Sequence, residues 1–258
     1  MTSTDDLCVM LVSPDPHVRD EVGYETLAAR IHSGGLDGQL TPLGDRLGGN
    51  FAHPEIQART FTPLILASVV IRDNAVAELD AETVRRWRDA FTTWWLSETD
   101  LRGYDDELGW LHAIAHGADL LRALGNSRHL DAAALVALLD LARARLLTPT
   151  DYLFAHGEDD RIAVAVALLL SREELDVEAA TGWLEPIGAQ FEAGEPGPVP
   201  AWAANTVRTL NSLYVVVDRG VSVVGPTGER LPPRDAPHRT EIRDALATTL
   251  RHQSPYLA

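Results

Sequence analysis

Lysine is missing from this chain altogether, so every cation among its 22 Lys and Arg side chains is an arginine. A Schiff-base mechanism, covalent attachment of pyridoxal phosphate and a phosphate-loop lysine each require an amine that is not here. Cysteine is nearly missing too: Cys8 stands alone and cannot form an internal disulfide. Nucleophilic catalysis has little material, since Cys8 lies in an apolar run and no serine occupies a G-x-S-x-G elbow. Glycine-rich dinucleotide or phosphate loops are absent; G-G-N at Gly48 follows no strand signal. Positive charge is short. With 38 acids the formal charge is −16, which disfavours nonspecific binding to nucleic acid or to an anionic membrane. Long apolar runs are also lacking: the longest, Ile162 to Leu170, is about half of the ~20 residues that a spanning helix needs. The start, M-T-S-T-D-D, carries acid where a signal peptide carries base, and Leu7 to Val12 is too short for a secretory core. A cytoplasmic location is expected.

What is present is ordinary for a globular chain, with 45% apolar and 23% charged residues over 258 positions. The hydrophobic period is helical nearly throughout. After the turn S-P-D-P (Ser13 to Pro16), Val18, Val22, Leu27 and Ile31 recur at roughly helical intervals, with Asp15 placed to cap and Pro16 to start. A glycine-rich stretch, Leu43 to Asn50, reads as a loop. A helix follows from about Glu55 to Arg72, and Pro63 within it predicts a kink or break. Asp80 caps a segment whose Val84, Trp87, Phe91, Trp94 and Trp95 form an apolar stripe. Further helices are expected at Asp131 to Leu147, about Asp160 to Leu170, Val177 to Phe191, Trp202 to about Val217, and His238 to His252. A proline- and glycine-rich loop falls at 192–200, and 220–237 reads as irregular or a short hairpin insertion, with V-S-V-V a short strand. No composition change marks a domain boundary. The expected fold is all-α over 1–258 as a single domain, a HEAT-like α-solenoid of stacked antiparallel helix pairs. The phrase D-P-H-V-R-D-E-V is similar to the start of a HEAT-type repeat, although no strict period is found.

One segment carries unusual chemistry for its apolarity: G-W-L-H-A-I-A-H-G-A-D-L-L, Gly109 to Leu121. On a helical wheel with His112 at zero, His116 falls at about 40° and Asp119 at about 340°, a single polar stripe. Ala113 and Gly117 would let a neighbouring element approach closely. Such a helix is surrounded by other elements, so the stripe needs partners there. Three readings remain open. H-x3-H-x2-D could present His112, His116 and Asp119 to a divalent metal, although Ala113 replaces the glutamate of the zinc-protease motif. The same groups could form a metal-free acid–base or ligand site. Or they could be a hydrogen-bonded core network.

Two flanking segments bear on the choice. L-R-G-Y-D-D-E (Leu101 to Glu107) sets Arg102 and Tyr104 just before the helix, with acids that suit a helix N-terminus. H-G-E-D-D-R (His156 to Arg161) precedes another apolar helix. There Asp159 or Asp160 reads as the N-cap and Glu158 as a solvent-facing acid. Arg161 opens that helix, where a cation is disfavoured, and is expected to have a carboxylate partner.

Together these segments resemble DUF2785, an uncharacterised bacterial family. The resemblance rests on R-G-Y (Arg102 to Tyr104), G-W-x-H-x-x-A-H-x-A-D-x-L (Gly109 to Leu121) and G-E-D-D-R-I-A (Gly157 to Ala163). D-P-x-x-R-D-E near Asp15, R-x-F near Arg59 and R-x-L-x-x-L-Y at Arg208 to Tyr214 add to it, so that it covers about residues 14 to 217. It implies an all-helical, HEAT-like protein, and it implies no activity. It also implies that Arg102, Tyr104, His112, His116, Asp119, Glu158, Asp159 and Arg161 converge.

The leading expectation is therefore a polar pocket for a small molecule. His112, His116 and Asp119 would be its acid–base groups for hydrolysis, elimination or cyclisation. Arg102, Tyr104, Trp110, Glu158, Asp159 and Arg161 would line it, an arginine holding an anionic group. No cofactor is required, and a divalent metal remains an alternative. The rival is a scaffold that binds a protein or peptide with the histidines structural; neither version calls for nucleic acid or membrane.

Overall fold

Asp80 and Asp131 cap helices as their positions promise: the Asp80 carboxylate accepts from Thr83 N at 2.7 Å, and that of Asp131 from Ala134 N at 2.9 Å. The computed structural model describes residues 2–194, 197–225, 227–254 and 256. The chain is helical over most of its length, with two small two-stranded sheets. It divides into two compact units, Met1–His129 with Val224–Arg230, and Leu130–Val223 with Leu231–Ala258. No helix among the described residues is long and apolar enough to cross a membrane.

In the first unit, α1 (Thr4–Met10) opens with a reciprocal cap between Ser3 and Asp6. The segment after S-P-D-P is wound in two ways. His17–Tyr24 is a π-helical turn, and the amide of Glu25 donates to Asp20 O five residues back; α2 (Glu25–His32) then continues as an ordinary helix. The glycine-rich stretch 43–50 is not a loop: α3 spans Leu40–Gly48, followed by a 3-10 turn at Gly49–Ala52. Gly44 is there for space, because a Cβ on it would lie 2.2 Å from the Trp87 ring.

Next, α4 (Ile56–Val76) runs unbroken through Pro63, contrary to the expected kink or break. It is buried on nearly every side from Ile56 to Ile71 and packs on α2, α3 and α6 (Ala113–Gly125). Those neighbours hold the helix where propensity alone would interrupt it. α5 (Ala81–Ser97) buries Val84, Trp87, Phe91, Trp94 and Trp95 against α3 and α6. Between α5 and α6 lies a hairpin, β1 (Tyr104–Asp105) and β2 (Gly109–Trp110), with Tyr104 opposite Trp110.

In the second unit, α11 (Ala201–Arg219) is central. It packs on α7 (Ala132–Leu147), α8 (Glu158–Leu170) and α12 (Arg239–Gln253). Its Thr206 hydroxyl donates to Leu146 O at 3.0 Å, tying it to the end of α7. The helix expected over Val177 to Phe191 is two, α9 (Val177–Gly182) and α10 (Glu185–Glu192), with Pro186 in the first turn of the second. The loop expected at 192–200 follows α10, and its Glu195 and Pro196 lie outside the described residues. V-S-V-V is indeed a strand, β3 (Val221–Val224), paired with β4 (Arg230–Arg234).

Candidate functional site

The motif helix begins later than its periodicity suggests. Gly109 and Trp110 form β2, and α6 starts at Ala113, so His112 is the residue before the helix and not part of its stripe. Its backbone sits at φ 53° and ψ 39°, the left-handed region that a side chain with a Cβ seldom occupies. Two hydrogen bonds hold it there: Leu111 N and His112 N both donate to Gly103 O, at 2.9 and 3.2 Å.

This turn aims the imidazole back along the hairpin. The His112 ring lies parallel to the Trp110 indole, with centroids 4.5 Å apart and planes within 4°. Trp110 in turn meets Tyr104 edge to face at 4.9 Å and 71°. On its inner side His112 neighbours His116, 5.4 Å between centroids, and His116 meets the edge of Phe61 at 5.2 Å. A continuous series of rings thus runs from the surface into the core. Tyr104 and Trp110 are 46% and 44% exposed, whereas His112 and His116 are 7% and 5%.

His116 is fixed by its backbone partner. Its Nδ1 lies 3.0 Å from Thr60 O, a carbonyl that can only accept, so Nδ1 carries the hydrogen. When the ring is neutral, Nε2 is then the basic nitrogen. Gly117, one residue on, has no room for a side chain: a Cβ there would lie 2.1 Å from Trp95 Nε1. The close approach expected at this glycine is made by an indole of α5.

The residue that secures the hairpin is one that sequence reasoning misses. Arg19, fully buried in the π-helical turn, donates to Leu108 O at 2.7 Å and Trp110 O at 3.3 Å, and to the Asp20 carboxylate at 2.7 Å. Its guanidinium also stands over the Phe61 ring at 4.8 Å. The signal is present in D-P-x-x-R-D-E, but nothing in the sequence says which carbonyls that arginine reaches. Burial pushes the Asp20 carboxyl above its usual range even with Arg19 against it. Gly109 completes the fit: it has φ +70°, and a Cβ on it would lie 2.9 Å from Pro16.

Around the hairpin the other arginines are engaged by carboxylates. Arg102 binds Asp100 at 2.7 Å and also Asp105, and it is held charged far above the usual range by them. The Asp100 carboxyl is correspondingly lowered by Arg102, and that of Asp105 by the amides of Leu108 and Glu107 together with Arg102. Arg59 binds Glu98 at 2.6 Å, and Glu98 also accepts from the Trp94 indole at 2.9 Å and from Asp100 N at 3.0 Å.

Asp119 has Arg122 as an ion-pair neighbour at 3.9 Å, one turn along α6. Among the described residues no group of three His, Cys, Asp or Glu side chains could hold a metal ion, so His112, His116 and Asp119 are not a ligand set as they stand. The physical reason is the start of α6. With His112 in the left-handed region and stacked on Trp110, its ring leaves the stripe that a continuous helix would give.

The remaining candidates, Glu158, Asp159 and Arg161, belong to the second unit. Gly157, at φ +80°, is the residue before α8, in place of the expected Asp159 or Asp160 cap. Glu158 is not solvent-facing; it is fully buried, accepting from Tyr152 Oη at 3.2 Å and from His156 N at 2.8 Å. Asp159 is buried against Arg208 of α11 at 2.6 Å, and Arg161 is exposed. Arg208 and Asn205 also hold the incoming strand of chain: Arg208 donates to Phe154 O, while Asn205 accepts from Phe154 N and donates to Tyr152 O, both at 2.9 Å. The G-E-D-D-R segment is therefore bound into the connection between α7 and α8.

No curated protein and no solved structure matches this chain. A family model does match, that of DUF2785, "Protein of unknown function", over residues 47–215, from the end of α3 well into α11. With both histidines, R-G-Y and G-E-D-D-R inside that span, the chain belongs to the DUF2785 family.

Proposed function

We propose that this protein binds a small organic molecule against the ring series Tyr104, Trp110, His112 and His116, with the two imidazoles as its acid–base groups. The observation that carries the reading is the backbone of His112. A non-glycine residue in the left-handed region costs about 1–3 kcal/mol, and such strain concentrates where a side chain must be aimed for a purpose. Here the purpose served is to lay an imidazole under an exposed indole and beside a second imidazole whose tautomer is fixed. A bound molecule that displaced the Trp110 ring would meet the imidazole stacked beneath it, a side chain suited to proton transfer. Hydrolysis, elimination and cyclisation all use such a group.

The same proposal places these rings on a HEAT-like stack of antiparallel helix pairs. In the first unit α2, α4 and α6 pack in succession, as do α3 and α5, which is the row-on-row pattern of such a stack. A cytoplasmic setting suits a chain whose one cysteine, Cys8, is buried as a free thiol.

The test is a fragment titration followed by the histidine ring and indole resonances of the whole chain. Neutral heteroaromatic fragments should shift Trp110 and His112 together, and Trp110→Ala should remove the response. If no fragment moves those resonances, or if the response survives Trp110→Ala, the site is elsewhere.

A further inference from the structure

The second unit holds a groove of about 400 Å³ between α10 and α12. Helical spacing brings its lining together: Glu185, Gly188 and Glu192 fall on one face of α10, Ala245, Thr249 and His252 on one face of α12. His252 spans the two helices. Its Nδ1 lies 2.9 Å from Glu192 Oε1, and a carboxylate only accepts, so Nδ1 carries the hydrogen. The far edge of the ring rests on Gly188, where an added Cβ would lie 3.3 Å from Cδ2 and 3.5 Å from Nε2. Among the described residues Nε2 has no hydrogen-bond partner. When the ring is neutral, it therefore presents an unused acceptor.

A second unused group stands one turn before it. Threonine inside a helix commonly returns its hydroxyl to the carbonyl four residues back. Thr62, Thr181, Thr206, Thr209 and Thr248 all do so. Thr249 does not. It is only 5% exposed, and its hydroxyl makes no hydrogen bond among the described residues. A buried hydroxyl without a partner is costly, and buried polar groups are as a rule satisfied. Thr249 lines the groove, so the partner its hydroxyl lacks has room to sit there.

The chemistry of the lining selects the ligand. Glu185 adds a carboxylate with no hydrogen-bond or ion-pair partner among the described residues, one turn from the Gly188 that His252 covers. Side chains three apart on a helix have Cβ atoms about 5–6 Å from each other, so Glu185, Thr249 and His252 surround one spot. All three offer acceptors there. Among the described residues no arginine lines the groove, and its acids repel an anion and attract a cation. An ammonium group has three donors and no acceptor, which matches what is on offer. Leu184, Ala189 and Ala245 supply apolar wall for an alkyl chain. We infer that this groove binds a primary alkylammonium ion, held by His252 Nε2, Thr249 Oγ1 and Glu185; it shares no residue with the ring series at His112.

The probes that test this are n-butylammonium, tetramethylammonium and 1-butanol, titrated into the full-length protein at about pH 8, above the ordinary range of imidazole. The His252 ring resonances are the readout, assigned with His252→Gln. Butylammonium should shift them saturably, about tenfold more tightly than butanol, which lacks the charge, or tetramethylammonium, which lacks N–H donors. Thr249→Val keeps the shape and removes the hydroxyl, and should weaken butylammonium about three- to tenfold without lowering the melting temperature. Glu185→Gln, at an exposed position, should weaken it about threefold. Silence from butylammonium, or equal affinity for all three probes, would overturn the inference. So would an undiminished response in Thr249→Val or in Glu185→Gln. A lower melting temperature for Thr249→Val would show that the hydroxyl serves the fold and overturn it as well.

Discussion

The imidazole of His112 lies within 4° of parallel to the indole of Trp110 at 4.5 Å, and the left-handed backbone of His112 makes this possible. Strain and stacking can be separated by two substitutions. His112→Ala removes the ring and keeps a Cβ in the disfavoured region, whereas His112→Gly removes both. The glycine variant should be the more stable of the two by about 1 kcal/mol, in spite of its freer unfolded chain. Urea unfolding checks this. An alanine variant as stable as the glycine one would mean that the left-handed turn is not held in solution.

Arg19 is the tie between the π-helical turn and the hairpin. Arg19→Leu removes the cation beside Asp20 and the hydrogen bonds that Arg19 makes to the carbonyls of Leu108 and Trp110. Asp20 is only part buried, so losing its cation should cost less than the roughly 3–5 kcal/mol of a fully buried pair broken from one side. The hairpin should loosen selectively. The amides of Leu111 and His112, which donate to Gly103 O, should exchange with deuterium faster than those in the middle of α4. Lysine should rescue little, since one ammonium cannot reproduce the fork that reaches Asp20 and two carbonyls. Uniform acceleration across the first unit would show that Arg19 serves the whole core and not the hairpin.

Glycine inside a helix ordinarily costs about 1 kcal/mol relative to alanine. At Gly117 that gain is unavailable, because the added Cβ would fall 2.1 Å from Trp95 Nε1. Overpacking of this kind costs about 1–3 kcal/mol, so Gly117→Ala should lower the melting temperature. Gly182, at the end of α9, is the contrasting case: a Cβ added there would meet nothing within 4 Å, and Gly182→Ala should be neutral or slightly stabilising. Thermal unfolding of the pair reads the contrast directly; equal effects would show that Trp95 moves aside.

Local signals in the sequence located most helices, and long-range contacts decided where it misled. Asp80 and Asp131 announce their helices because a cap and the amide it satisfies are three residues apart. The glycines of 43–50 suggest a loop when read locally, yet Gly44 is small because Trp87, more than forty residues on, presses against it. Pro63 suggests a break, and burial among α2, α3 and α6 overrides it. The motif segment is the sharpest case. Apolar residues recur on both sides of His112, so the helical period continues through a position whose backbone is not helical. What stops the helix there is a hairpin whose carbonyls are satisfied by Arg19, about ninety residues earlier. The candidate residues themselves were legible as types. The aim of the imidazoles and the burial of Glu158 were not, because each depends on partners far along the chain.

Glu98 gives the hairpin region a sensitivity to acid. Burial by itself would push its carboxyl up, but hydrogen bonds from Arg59, Asp100 N and the Trp94 indole, together with the Arg59 charge, outweigh this and hold it below the usual carboxylate range. A group whose folded pKa is depressed contributes stability that is present above its unfolded pKa, near 4.3 for glutamate, and is lost as pH falls through the folded value. Glu98→Gln keeps the shape and loses the charge, so it should destabilise the protein by about 2 kcal/mol at neutral pH. Below about pH 4 the wild type surrenders this same contribution, and the variant has none to lose. Denaturant midpoints of the two proteins should therefore converge on acidification. Curves that stay parallel throughout acidification would show that the Glu98 carboxylate is not what Arg59 and Trp94 hold in place.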